Sequence, residues 1–431
     1  MSDLSSMSRE SKKRQLRRQM LDPSDSGKPG KKLKRPRESR SEEEEIVHEA
    51  GRKVRRRKRR IILTLLAVLV IAGGGFYLYN ARRHFTEYSV DWEADMAASE
   101  AGFVRYVNFE ENVLKYTKDG ASYIDAKGKT VWSKSFELKS PVCYVNGGSA
   151  VIADQQGTNL YIFDKEGCQG EAESLLPIQR VAVSAHGVVA AMVEDARASY
   201  VTFYKKDGST LDWSIKSILG GDGYQMDVSV SPDGTQVMVS YAYLKNGGIS
   251  SKVVFYNFSE VGKNYKNRLV GAFEDMYEGD LVPRVRFMDE EHACAFSDSG
   301  VSFFSLKNIT SPELVVHVPV EEEMSSVCYS DRYIAYTVPN ASGLYDYTLF
   351  VYKNDGTLAF SREIDFQYRY MDIDGDNLIL YNENSCRVYN MSGVEKFDGT
   401  FDFTVSHIRS GRFPGTLIVT GPETMKEIRM R

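Results

Sequence analysis

Beyond residue 80 the chain repeats one layout: a strand, a tight turn, a strand, a loop, then an aromatic strand, a polar-Gly turn and a final strand. The units NVLKYTKDGASYIDAKGKTVWSKSF, SAVIADQQGTNLYIFDKEGCQ, GVVAAMVEDARASYVTFYKKDGSTLDWSI and DRYIAYTVPNASGLYDYTLFVYKNDGTLAFSREI turn at Lys127-Gly128, Lys165 to Gly167, Asp207-Gly208 and Asp355-Gly356. Asp-Gly and similar pairs supply the positive φ that a tight hairpin demands, so the repeat has a physical cause. Successive turns fall roughly 36 to 45 residues apart, which is the period of one four-stranded propeller blade. Blades are predicted near 101 to 137, 141 to 176, 179 to 216, 225 to 270, 282 to 320, 324 to 365, 369 to 400 and 403 to 431. The last holds about three strands (TVSHIRS, GTLIVTG, MKEIRMR), and EYSVDWE could supply the fourth and close the ring. The expected fold is an all-β propeller over residues 86–431, eight-bladed, with seven blades as the alternative if one weak unit is an insertion. The 47 Tyr and Phe against 12 Pro agree with a strand-rich body.

Ahead of the repeat stands IILTLLAVLVIAGGGFYLY, residues 61–79, without a charge. As a helix it would be roughly 28 Å long, against about 30 Å for the hydrocarbon core of a bilayer. The run Arg52 to Arg60 (RKVRRRKRR) precedes it and only Arg82 and Arg83 follow closely. The positive-inside rule then places the N-terminus in the cytoplasm and the C-terminal domain outside. A cleaved secretory signal is the rival, but its charged region would be 60 residues long. Residues 1–60 carry 21 Lys and Arg against 10 Asp and Glu, net +11, and the rest 34 against 49, net −15. The tail has too few apolar residues to fold alone and reads as disordered, with its juxtamembrane basic cluster drawn to anionic lipid headgroups. Nucleic acid is not expected as a partner of a tail held at a membrane. Residues 80–85 read as a linker.

SVSPDGTQVMVSYAY (Ser229 to Tyr243) resembles the S-x-DG turn of WD40-like propellers, and YIDAKGKTVWSKSF (Tyr123 to Phe136) resembles the D-x-x-G-x-x-x-W turn of quinoprotein-like blades. The whole layout of basic tail, single anchor and acidic propeller resembles a family of uncharacterised membrane-anchored propeller proteins of Gram-positive bacteria. That resemblance implies the fold and the anchor and brings no known activity. The quinoprotein Trp recurs at most as Trp213 without the Gly-Lys spacing, so pyrroloquinoline quinone is not implied, and no cofactor is expected.

The sharpest local signal is MDIDGDNLILYNE, where Asp372, Asp374, Asp376 and Glu383 overlap the spacing of a calcium loop. Asn377 stands where that loop requires Gly, and LILY reads as a strand that would carry Glu383 away. A blade hairpin with Asp-Gly at its turn is therefore expected instead. Five scattered cysteines show no CxxC spacing; a Cys143 to Cys168 bridge is the alternative to buried thiols. His84, His186, His292, His317 and His407 form no metal-type spacing, and there is no G-x-S-x-G elbow, Walker loop or dinucleotide fingerprint. No catalytic residue is assigned. The expected function is a protein-binding or scaffold module at the cell surface, with an extracytoplasmic protein or the cell wall as partner. An enzyme acting on wall glycan and a signal relay between propeller and tail stay open as alternatives.

Overall fold

In the computed structural model, residues 61–75, 79, 82–96 and 102–431 are described. The chain divides into two units, Met1–Tyr77 and Leu78–Arg431. In the first, residues 61–75 are helical. Among the described residues no helix is long and apolar enough to cross a membrane. The expected tail at 1–60 and part of the expected span, 76–78, lie outside the described residues.

The second unit folds into eight sheets of four strands each among the described residues. Blade 1 is Val104–Phe109, Asn112–Thr117, Gly120–Ile124 and Thr130–Ser135. Blades 2 to 7 repeat this antiparallel meander, with first strands at Pro141–Asn146, Ile178–Val183, Tyr224–Val230, Arg284–Phe287, Ser326–Tyr329 and Tyr370–Asp374. Blade 8 consists of His407–Ser410, Thr416–Thr420 and Thr424–Met430, with Tyr88–Asp95 added as its outer strand. Tyr88 pairs with Met430 and Asp95 with Thr424, so the strand preceding blade 1 completes the final sheet, as EYSVDWE led one to expect.

The turns between third and fourth strands share one design. In blade 3 the Gly208 amide donates to the Lys205 carbonyl at 2.9 Å, and Asp207 Oδ1 accepts from the Ser209 amide. Gly208 has φ +84°, and a Cβ there would run into the backbone of Glu171 in blade 2. Glycine therefore serves both the turn and the close approach of neighbouring blades.

There is no common centre to the apolar core. Eight clusters of buried residues each bridge one pair of adjacent blades. The quinoprotein-like Trp132 works in this way: its indole lies parallel to Phe163 of blade 2 at 5.3 Å, and its Nε1 donates to the Lys165 carbonyl at 3.1 Å. The seam between blades 8 and 1 is the thinnest, built on Met96, Val113, Ile124, Ile418 and Met425. All five cysteines are free thiols.

Tyr88–Asp95 holds its place by pairing and by side chains. Trp92 Nε1 donates to Glu427 at 2.7 Å, and Arg429 meets Asp91 at 2.6 Å. Deleting residues 88–95 from the full chain leaves Thr424–Met430 as an unpaired edge next to the thinnest seam. The thermal midpoint should fall by about 5 °C or more, and the protein should self-associate on size exclusion. An unchanged midpoint and a monodisperse monomer would show that closure contributes nothing.

Candidate functional site

The first strand of each blade has no partner on its inner edge, so its amide groups need acceptors from elsewhere. At two seams the preceding blade supplies them. Asp227 Oδ2 accepts from the Val285 amide at 3.0 Å, and Ser229 Oγ from the Phe287 amide at 2.9 Å. Asp374 Oδ2 accepts from the Ser410 amide at 2.7 Å. These polar residues close the inner rim of the ring as the apolar clusters close its outer part.

Around the axis the turns after the first strands enclose a cavity of about 870 Å³. Its rim carries the carboxylates of Glu110, Asp289, Glu290 and Asp331. Asp289 is engaged by His292 and by Asn354 Nδ2, both at 2.8 Å. Glu290 has its pKa raised by burial and by the nearby Asp233. Deeper in, Arg286 of blade 5 reaches across to blade 2, with its guanidinium 5.5 Å from the Tyr144 ring and 5.2 Å from that of Tyr329. Its Nη1 donates to Asp227 Oδ2 at 2.9 Å and to the Val285 carbonyl, and its Nε to the Tyr329 hydroxyl at 2.6 Å. Burial opposes the charge, but Tyr329 and Asp227 outweigh it and hold Arg286 above its ordinary pKa. The cavity thus has an acidic rim and a cationic, aromatic floor.

At the seam between blades 7, 8 and 1 a second polar chain runs through buried side chains. Asn108 Nδ2 donates to Asp372 Oδ2 at 3.1 Å, which leaves its Oδ1 to accept from His407 Nε2 at 2.9 Å. His407 Nδ1 is then the acceptor for the Tyr381 hydroxyl at 3.3 Å. Burial, with Arg409 nearby, depresses the His407 pKa to about 3, so the ring is neutral. Arg409 donates to the Asn112 carbonyl and, at 3.2 Å, to that of Glu110, clamping blade 8 to blade 1. Asp372 is pushed up to about 7 by burial and by Asp374.

The four residues with calcium-type spacing are not brought together. Asp372 belongs to this chain, and Asp374 caps Ser410. Asp376 stands exposed on the turn, 3.0 Å from Arg332. The strand Asn377–Tyr381 carries Glu383 off to pair with Arg369 at 3.0 Å, where both line a different cavity of about 390 Å³. Among the described residues no three His, Cys, Asp or Glu side chains are grouped to hold a metal. Arg286, Tyr144, Tyr329, Asn108 and Asp227 were not singled out by sequence. Their one local signal is a polar or charged residue within the short first strand of a repeat, as in RVRF and MDVSV.

The fold and its polar axis define an eight-bladed β-propeller with an axial cavity open to solvent. The chain belongs to the family of unknown function DUF5711, whose pattern matches residues 81–430. No curated protein matches the sequence. Similar solved structures include Sqt1 from Chaetomium thermophilum, 10% identical over 80% of this chain and 100% of that one, with a TM-score of 0.48. The Pan2 WD40 domain of Neurospora crassa is 10% identical over 80% and 97%, with a TM-score of 0.41.

The raised carboxyl makes a pH prediction. Between pH 3.8 and about 7 the folded chain keeps a proton on Asp372 that the unfolded chain has released. Stability therefore falls as pH rises through that window. Asp372→Asn removes this loss and should stabilise the protein by about 2 kcal/mol or more at pH 8 relative to its effect at pH 4. Denaturant melts of both proteins at the two pH values test it, and an equal effect at both would refute it.

Proposed function

We propose that the chain is a membrane-anchored binding module that engages a protein or wall-polymer partner at the mouth of the propeller channel. In this reading residues 61–79 are the anchor, residues 1–60 lie in the cytoplasm against anionic headgroups, and the propeller is outside. The uncharged run of 61–79 and the basic residues Arg52 to Arg60 before it support the anchor and its direction. The observation that carries the binding reading is the 870 Å³ cavity, whose rim is assembled from turns of several blades and displays carboxylates to solvent. Rigid blades hold such a rim in place while the turn side chains set its chemistry.

A second reading, an enzyme acting on wall glycan, has one observation in its favour. Asp372 is a carboxyl pushed up to about 7, with Asp374 two residues away on the same strand, and a pKa near neutrality suits a general acid. Asp372 also holds blade 1 through Asn108 and Asp374 holds blade 8 through Ser410, and this structural duty explains them without a reaction.

Two measurements test the leading reading in intact cells. External protease should remove the propeller and leave the tail, and protection of the propeller would overturn the topology. Crosslinking from the membrane should recover a partner whose yield drops about tenfold when Glu110, Glu290 and Asp331 are changed together to Gln, Gln and Asn. An undiminished yield would move the binding surface away from the channel mouth.

A further inference from the structure

Arg286 has five N–H donors, and the fold uses three of them. Nη1 serves Asp227 and the Val285 carbonyl, and Nε serves Tyr329. Nη2 has no acceptor among the described residues, although Arg286 is only 8% exposed and lines the floor of the cavity. That edge faces the cavity and is left to solvent. The clamp on its other edge, with Tyr144 and Tyr329 beside the guanidinium plane, fixes where that edge points. By contrast Arg409, the other buried arginine of the inner rim, spends its Nη1 and Nη2 on the Asn112 and Glu110 carbonyls.

The cavity therefore presents two chemistries at two depths. Below is a fixed donor edge suited to an oxyanion. Above are the rim carboxylates of Glu110, Glu290 and Asp331, suited to a cation. A simple anion would have to pass the acidic rim, and a simple cation would meet Arg286 at the floor. A ligand carrying both charges satisfies both levels, and a volume of about 870 Å³ is within the range of small-ligand pockets.

We infer that the channel cavity binds a short peptide through its free C-terminal carboxylate, received by Nη2 of Arg286, with an ammonium group of the same peptide held by Glu110, Glu290 and Asp331. This deepens the binding reading above by naming the ligand chemistry of the same mouth. Asn146 and Ser330, also in the lining, can meet the peptide groups between the two ends.

The test is calorimetric titration of the full chain in detergent micelles with the tripeptide lysyl-alanyl-alanine. Comparison ligands are its C-terminal amide, its form acetylated on both amines, and phosphoethanolamine. The free peptide should bind with Kd below about 1 mM, and amidation or acetylation should each weaken binding about tenfold or more. Arg286→Lys keeps a cation for Asp227 but loses the second edge, and should weaken the free peptide about tenfold while leaving the amide unchanged. Should that variant fold poorly, Asp331→Asn, at the exposed rim, should weaken the free peptide and leave the doubly acetylated one unaffected. Equal binding of acid and amide, tighter binding of phosphoethanolamine, or no heat from any peptide would overturn the inference. Peptide binding without any crosslinked partner in cells would sink the scaffold reading alone. A captured partner indifferent to Arg286→Lys would sink the peptide site alone.

Discussion

A ring of blades is stable only if its last interface forms, and here that interface depends on pairing between Tyr88–Asp95 and Thr424–Met430. Each apolar cluster joins one blade to the next, so no central core would hold the remainder if one seam opened. The seam beside the closing strand is also the least apolar. Polar groups make up part of the difference: Arg409 reaches two carbonyls of blade 1, and His407 reaches Asn108. Such groups add specificity of register, because a carbonyl must meet a donor at one place, whereas an apolar contact tolerates sliding.

The same closure creates the channel. Eight first strands turn their unpaired edges towards one axis, and the groups placed there must satisfy amides or face water. Asp227, Ser229 and Asp374 do the first. Most of the acidic character along the inner rim has this structural cause, and it would be an error to read each carboxylate as chemistry. Glu110, Glu290 and Asp331 differ because they sit exposed on turns at the mouth, although Glu290 also meets the Asp233 backbone of blade 4.

The blades were legible in the sequence because their signals are local. A Gly with φ near +80° at Gly128, Gly208 and Gly356 marks the same turn in each unit, and the alternation beside it marks strands. Eight blades and the closing strand followed from counting. The channel was not legible, because it joins residues far apart in the chain: Asn108 meets Asp372 across 264 positions, and His407 across 299. The spacing of Asp372, Asp374, Asp376 and Glu383 suggested a loop only while the hairpin was unknown. Once Tyr370–Asp374 and Asn377–Tyr381 are strands, the four point to different neighbours. The relay from His407 through Asn108 has no sequence signal at all.

Arg286 is the residue for which stability gives the weakest account. A buried ion pair commonly contributes less than a well-packed apolar group of the same volume, since desolvation offsets the attraction. Tyr329, Asp227 and the Val285 carbonyl satisfy three donors and leave two facing the cavity. Replacing Arg286 and Asp227 together by apolar side chains would close the floor without that cost, whereas removing the arginine alone would leave Asp227 a buried, unpaired carboxylate. What the guanidinium supplies that a leucine could not is a fixed donor edge at the bottom of an acidic cavity, which is a property of a binding site and not of a strut.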